Sequence, residues 1–482
     1  MFRVGKQQYA VRSSAAIFDV KARIQRHLVG IAALLFPFLL RSIPEVLAGQ
    51  FPIGYDTINA YVPSMLDWKL GTFNTTDLAG GWLLPTILGS VQKFSGADPI
   101  IVVKLFGPLV YGFLGWSQFQ FARRRLDWSN KKSLVLVILS SLYFTSLRLS
   151  WDLLRNVLGL GFGLLALSTA KRLGTTRDTI LFSVTILLAT MTQILVGGVM
   201  LAVLGLESLT AGPFRRTQIL SIIPAIIQFA TSAAWFAISD FEGRGVTGTL
   251  GTSRGDILWD FVPLVLPCAL GISVMRKTPL SSWIVLCAIA AMVGVFPGPQ
   301  RWALMLTIPL TIGATQGLTV MFTQTFRRIR LIRGLGLVSL SVWIMLGGVY
   351  LTLPAQTAFP YFSHFTPTSM VQSSIPASDS EGLVESFQWL SANIPNSAVL
   401  MTHNSMYGWA REYFHAGNLV IDYGPSVNLT EALHYTIDTG HTHIYTIWWA
   451  DDLGWYGYPS PPLGFHLEKQ FGNMGVFYYE MA

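Results

Sequence analysis

The chain has 482 residues, of which 51% are hydrophobic and only 12% are charged, and its mean hydropathy is +0.48. Soluble domains typically carry about 25% charged residues, so the composition excludes an ordinary soluble protein and indicates burial in lipid or in a helical bundle. The net charge of +8 does not indicate nucleic-acid binding, because Lys and Arg cluster in short loops between apolar runs.

Apolar runs between residues 28 and 353 predict the membrane spans. They lie near 28–48, 98–121, 133–149, 153–170, 179–191, 194–208, 218–238, 258–275, 279–296, 303–322 and 334–353. The short pair 179–191 and 194–208 predicts a tight hairpin around Thr192-Gln193, with one long tilted helix as the alternative. The hairpin keeps Arg215, Arg216, Arg276 and Lys277 on the cytoplasmic side. We therefore predict a polytopic α-helical membrane protein with about 11 transmembrane helices, its N-terminus inside and its C-terminus outside.

Four regions follow from this topology. They are a basic cytoplasmic segment (1–27), a transmembrane domain (28–353), a Pro/Ser/Thr-rich linker (354–380) and a small extracytoplasmic α/β domain (381–482). Residues 50–97 form a long first outer loop, in which 80–94 predicts a helix lying along the membrane or re-entering it.

The last domain is predicted from alternating helical and strand patterns. They are a helix at 381–393, a strand at 398–402, a helix start near Ser405, a strand at 419–422, a helix at 430–439, a strand at 442–448, a helix-like stretch at 463–471 and a strand at 475–479. This alternation indicates a partly parallel sheet.

Asp56 is the first candidate for chemistry, in the outer-loop segment Phe51-Pro-Ile-Gly-Tyr-Asp-Thr-Ile-Asn-Ala-Tyr-Val-Pro63. A carboxylate at a membrane surface is costly to keep without a partner or a reaction. We interpret Asp56 as a catalytic base and its neighbour Tyr55 as a substrate-binding residue. A solvated turn Asp is the alternative.

The outer turn Arg148-Leu-Ser-Trp-Asp-Leu-Leu-Arg-Asn156 is the second candidate. Asp152 is a second catalytic carboxylate candidate, and Arg148 and Arg155 could bind a lipid phosphate, because Arg matches phosphate oxygens bidentately. An internal Asp–Arg pair that pins the hairpin is the alternative.

Further candidates lie on the same predicted face. Arg301, in Phe296-Pro-Gly-Pro-Gln-Arg-Trp302, either binds the phosphate or snorkels to the interface. Arg41 and Lys104 are weaker companions. Glu242 belongs to the Gly-rich loop 239–257, which either closes over a substrate or is simply flexible.

These segments resemble a known family. An acidic residue in the first outer loop of a polytopic bundle, together with Gly54-Tyr-Asp-Thr57, Trp151-Asp-Leu-Leu-Arg-Asn156 and Gln300-Arg-Trp302, resembles prokaryotic, especially archaeal, members of the GT-C superfamily of membrane glycosyltransferases. The superfamily includes the oligosaccharyltransferase catalytic subunit. In the tail, Thr442-His-Ile-Tyr-Thr-Ile447 and Gly475-Val-Phe-Tyr-Tyr479 are similar to its small periplasmic α/β domain.

The resemblance implies a cell-envelope enzyme, multi-pass in the cell membrane, that transfers a sugar or glycan from a polyprenyl-phosphate-linked donor with inversion. Its partners would be membrane lipids, that donor and an unidentified glycan, lipid or protein acceptor, as in protein glycosylation, with no nucleic acid. No metal ligands are assigned, and the cofactor is either a divalent cation such as Mg or Mn or none. The alternatives are a transporter or flippase for a lipid-linked saccharide and a non-catalytic accessory subunit with the same fold.

Overall fold

The computed structural model describes residues 27–71, 81–210, 215–240, 260–275, 278–293, 299–323, 330–356, 375–416, 418–423, 429–450 and 464–479. The predicted basic segment before residue 27 and most of the predicted linker lie outside these ranges.

Helices make up most of the first 356 residues. They are α1 (His27–Leu47), a π-helix (Thr57–Tyr61), α2 (Val62–Leu70), α3 (Leu83–Ser95), α4 (Pro99–Arg124), α5 (Asn130–Leu142), α6 (Phe144–Asp152), α7 (Leu154–Thr169), α8 (Thr176–Thr192), α9 (Ile194–Thr210), α10 (Arg215–Asp240), α11 (Val262–Val274), α12 (Pro279–Val293), α13 (Pro299–Phe322) and α14 (Arg330–Gln356).

Five of the described helices, α1, α4, α10, α13 and α14, are long and apolar enough to cross a membrane. A sixth span results if the bent pair α5–α6 is counted as one, and α7, α9, α11 and α12 are apolar but shorter. The chain therefore has the helices of a membrane protein, and every predicted span overlaps a described helix, although α8, which overlaps the span at 179–191, is not among those just named. The count of eleven crossings and their orientation stay predictions.

The structure differs from the single span predicted at 133–149. α5 ends at Leu142 and α6 begins at Phe144, with a bend of 68° between them. Tyr143 at the break is extended (φ −76, ψ 129) and fully buried. Its ring packs edge-on against Trp343 at 5.1 Å, and its hydroxyl donates to the Asp260 carbonyl. Because neither Pro nor Gly is present at the break, these tertiary contacts are the cause of the bend.

The predicted hairpin around Gln193 is present. Gln193 is extended (φ −156, ψ 118) between α8 and α9. A Cβ added to Gly197 would lie 2.7 Å from the Thr190 Cα. In a straight helix seven residues span about 10 Å, so the chain turns back on itself here and one continuous helix is excluded.

The last domain is a mixed sheet with helices. It contains α15 (Ser380–Asn393), β1 (Val399–His403), α16 (Tyr407–Tyr413), β2 (Val420–Tyr423), α17 (Leu429–Asp438), β3 (Ile444–Trp449), β4 (Phe465–Phe471) and β5 (Met474–Tyr479). The strand order is β2-β1-β3-β5-β4. β1 is parallel to β2 and β3, whereas β5 is antiparallel to β3 and β4, so the predicted partly parallel sheet is found.

One predicted element of this domain is wrong. Residues 463–471 were expected to be helix-like, but Phe465–Phe471 is the edge strand β4. The two residues Gly472 and Asn473 connect it to β5, and Gly472 has a positive φ of +55. A two-residue Gly-containing turn selects a tight hairpin, and pairing with β5 overrides the local helical pattern.

Candidate functional site

Asp56 is the N-cap residue of the π-helix, in the segment predicted to be the first outer loop (50–97). The N–H of Val62 donates to the Thr57 carbonyl, the five-residue spacing of a π-helix. Such helices are rare, and they occur frequently at functional sites. The Asp56 side chain is half-buried, and it has no hydrogen bond or ion pair with any described residue. A carboxylate held in this way is available to a substrate.

The carbonyl of Trp151 joins the π-helix to the end of α6. It accepts a hydrogen bond from Thr57 Oγ1 at 3.2 Å and one from Arg41 Nη2 at 3.4 Å. α6 ends one residue later, at Asp152, and the single non-helical residue Leu153 separates it from α7. The backbones that carry the two candidate carboxylates, Asp56 and Asp152, are therefore adjacent. The Asp152 side chain lies outside the described part of the structure.

A buried charge cluster supports this junction from α1. Arg41 is 1% exposed, donates through Nε to the Ser150 carbonyl at 3.0 Å, and pairs with Glu45 at 2.8 Å. Lys104 pairs with the same Glu45 at 3.1 Å and donates to the Phe51 carbonyl at 2.7 Å. A cation at the C-terminal end of α6 is also favourable to the helix dipole. Arg41 and Lys104, predicted as weaker companions of Arg301, are thus part of this cluster. In the sequence, this cluster is indicated by the i,i+4 spacing of Arg41 and Glu45 inside an apolar span.

Arg155 lies beside the π-helix. Its backbone N–H donates to the Tyr61 hydroxyl at 3.4 Å, and its guanidinium carbon is 5.8 Å from the centre of the Tyr61 ring. Tyr61 is the last residue of the π-helix that begins after Asp56, so Arg155 contacts this helix.

The break between α8 and α9 contacts the beginning of α7. Gln193 Nε2 donates to the buried Asn156 Oδ1 at 3.0 Å. The outer loop returns to this point before α3, since a Cβ on Gly81 would meet the Thr192 carbonyl oxygen at 2.1 Å. The beginning of α7, the α8–α9 break and the outer loop thus form one packed unit.

The other predicted site residues are placed less closely. Tyr55 is half-buried next to Asp56, and Arg148 is buried in α6 at 7% exposure. Arg301 is half-buried at the beginning of α13, about 9 Å along that helix from Thr307, whose hydroxyl bonds Thr145 of α6. The structure thus places the backbones of Asp56 and Asp152 next to each other through the Thr57–Trp151 bond, and Arg155 against Tyr61 of the π-helix. It gives no contact between them and Arg301, and Glu242 lies outside the described residues.

Solved structures of membrane glycosyltransferases share this architecture. ArnT from Cupriavidus metallidurans bound to undecaprenyl phosphate superimposes with a TM-score of 0.55 at 11% identity, over 94% of this chain and 97% of that one. The Archaeoglobus fulgidus oligosaccharyltransferase in complex with Zn and sulfate gives a TM-score of 0.56 at 11% identity, over 86% and 67% of the two chains. Both are GT-C glycosyltransferases. This chain has the GT-C fold.

A variant of the arabinofuranosyltransferase AftD from mycobacteria also shares the GT-C fold. Its TM-score is 0.53 at 13% identity, over 95% of this chain but only 42% of that one. No family model matches the sequence, and no curated protein matches it.

The GT-C neighbour solved with Zn raises the question of a metal in this fold. Among the described residues no group of three or more His, Cys, Asp and Glu side chains is placed to hold an ion. Asp56 is a single carboxylate, whereas divalent cations such as Mg take several oxygen ligands. The divalent cation therefore stays a prediction, with no ligand group assigned to it among the described residues.

Proposed function

We propose that the chain is a membrane glycosyltransferase that transfers a sugar or glycan from a polyprenyl-phosphate-linked donor to an acceptor on the extracytoplasmic face, with inversion. The observation that carries the proposal is the half-buried Asp56 carboxylate, which has no partner among the described residues and lies on a π-helix anchored to α6. Further support is the GT-C fold, whose neighbour ArnT was solved with undecaprenyl phosphate.

In this reaction Asp56 takes the proton of the acceptor hydroxyl. The acceptor oxygen attacks the anomeric carbon from the face opposite the phosphate, and the bond from that carbon to the phosphate oxygen breaks. The electron pair leaves with the polyprenyl phosphate, and the proton passes from Asp56 to solvent. A general base contributes roughly 10²–10⁴-fold to the rate.

The guanidinium groups would act on the leaving group. Arg155 contacts Tyr61 of the π-helix, and we assign to it, with Arg301 and Arg148, the neutralisation of the charge that develops on the phosphate. Asp152 would orient substrate or one of these Arg residues. Tyr55 and Glu242 would complete the substrate site.

The test is sugar transfer by the purified full-length protein in lipid nanodiscs. A panel of undecaprenyl-phosphate monosaccharides with radiolabelled sugars supplies the donor, and free undecaprenyl phosphate is measured. We expect Asp56→Asn to lower kcat by about 10²–10⁴-fold without changing undecaprenyl phosphate binding. Asp98→Asn is the matched control, because Asp98 caps α4 by accepting from Ile100 N at 2.8 Å, a role that Asn performs equally well. Full activity of Asp56→Asn would sink the assignment.

The same preparation separates the alternatives. A flippase would move the intact lipid-linked saccharide across a proteoliposome bilayer without breaking the bond to phosphate. An accessory subunit would do neither. We also propose eleven spans with the N-terminus inside and the C-terminal domain outside. Cysteines introduced into the C-terminal domain should then react with an impermeant maleimide in intact cells, and protection from it would refute this topology.

A further inference from the structure

The C-terminal domain contacts the outer loop next to Asp56 through the side chain of Asn59. Asn59 Nδ2 donates to the Ser405 carbonyl at 3.1 Å, and Asn59 Oδ1 accepts from the Gly408 N–H at 2.9 Å. One amide side chain thus satisfies a backbone acceptor in the turn between β1 and α16 and a backbone donor in the first turn of α16. Asn59 is three residues from Asp56, within the π-helix.

Gly408 brings the two backbones together. A Cβ at this position would lie 1.8 Å from the Ile58 carbonyl oxygen and 2.8 Å from the Asn59 Cα. No larger residue fits without moving one of the two segments. The C-terminal domain therefore touches the π-helix itself and not merely the side chains around it.

Contacts on both sides of Asp56 extend the interface. Arg411 Nη2 pairs with Asp67 Oδ1 at 2.6 Å, with both side chains mostly buried at 27% and 19% exposure. The Arg411 guanidinium also donates to the Tyr407 hydroxyl at 3.1 Å. On the other side, the rings of Phe51 and Trp409 are 6.0 Å apart. The docked segment 407–411 thus spans the outer loop from residue 51 to residue 67.

The π-helix continues directly into α2 at Val62, whereas its N-terminal end, next to Asp56, has no such support. Asp56 at its N-cap makes no side-chain capping bond. Thr57 binds the Trp151 carbonyl of α6, and Asn59 binds the C-terminal domain. These two contacts attach the residues that follow Asp56 to both parts of the molecule.

We propose that the docked C-terminal domain holds the Asp56 segment in place, with Asn59, Gly408 and the Asp67–Arg411 pair as positioning residues. The inference rests on the proposed function only for the role of Asp56 as the base. The membrane-side contacts reach the first and last residues of the π-helix, Thr57 and Tyr61, whereas Asn59 between them is held by the C-terminal domain. Sugar transfer would then require the domain to be docked.

Hydrogen exchange of the purified full-length protein tests the attachment without any substrate. We expect Asn59→Ala to speed the exchange of peptides covering residues 57–62 by about tenfold, because a fall of about 1.4 kcal/mol in the opening free energy is a tenfold change. Asn393→Ala is the matched control, since the exposed Asn393 side chain donates to the Trp389 carbonyl within its own helix. Exchange of residues 57–62 at the wild-type rate in Asn59→Ala would overturn the proposal.

Measurements of sugar transfer, together with a charge swap between Asp67 and Arg411, show whether the attachment positions Asp56. In Asn59→Ala, kcat should fall by about 10²-fold, the effect of a displacement of about 1 Å, while KM for the donor changes little. Asp67→Arg and Arg411→Asp should each speed the exchange and lower kcat, and the double variant should recover most of both. Faster exchange with an unchanged kcat would overturn the positioning role. If the wild-type protein transfers no sugar but Asn59→Ala exchanges faster, the proposed function fails and the attachment stands.

Discussion

Gly408→Ala is the sharpest test of the contact between the C-terminal domain and the outer loop. The new Cβ would lie 1.8 Å from the Ile58 carbonyl oxygen, whereas ordinary contact begins near 3.4 Å, so the two backbones must separate by about 1.6 Å. The Asn59 bonds of 3.1 and 2.9 Å would then exceed hydrogen-bonding distance. Two lost bonds at about 0.5–1.5 kcal/mol each and about 1–3 kcal/mol of steric strain predict a loss of about 2–6 kcal/mol of docking free energy.

Thermal unfolding and hydrogen exchange measure this loss. We expect a lower unfolding temperature and faster exchange in peptides that cover residues 57–62 and 405–413. Gly348→Ala is the control, because nothing lies within 4 Å of a Cβ there and Gly348 is exposed in α14. Ala is preferred to Gly in a helix, so this variant should keep or slightly raise the unfolding temperature. Wild-type exchange and stability in Gly408→Ala would refute the close approach of the two segments.

Two other positions give independent predictions. Arg41→Met removes the donors to Ser150 and Trp151 and should cost about 2–4 kcal/mol of unfolding free energy, with partial recovery in Arg41→Lys; an unchanged melting temperature in detergent would contradict this. Burial lowers the pKa of His403 from 6.5 to about 4, so the neutral imidazole stabilises the C-terminal domain fully above pH 6.5. As the pH falls toward 4, the unfolding free energy should decrease by about 3 kcal/mol. His403→Gln should flatten this part of the stability–pH curve. An equally steep curve in the variant would exclude His403 as its cause.

Hydropathy located the helices because burial in lipid demands long apolar runs, and every predicted span overlaps one. The bend at Tyr143 has no corresponding signal in the sequence. Its causes are the Trp343 ring and the Asp260 carbonyl, which are distant in sequence and coded by no local pattern. The β4 strand was missed for a related reason. Its residues carry little apolar alternation at an exposed edge, and only the Gly472 turn pointed to a hairpin.

The candidate site shows the same division. Asp56 stood out from the sequence because an acid in an aromatic outer loop is unusual next to a membrane. The groups that hold its segment could not be predicted. Thr57 and Asn59 bond to main-chain groups 94 and 349 residues away, and a main-chain carbonyl or N–H has no sequence signature. Arg41 was visible as a charge within a span, but its role at the end of α6 required the structure.

The two attachments of the π-helix account for the state of Asp56. A flexible loop would turn such a carboxylate toward water or toward a nearby cation, because a half-buried charge without a partner is unfavourable. Here Thr57, the first residue of the π-helix, bonds to α6, and Asn59, its middle residue, bonds to the C-terminal domain. Neither contact uses the carboxylate itself. The contacts with α6 and with the C-terminal domain therefore stabilise the backbone of this turn, while the Asp56 oxygens stay available for an incoming hydroxyl. Loosening either attachment should lower the catalytic activity of Asp56 without altering its chemistry.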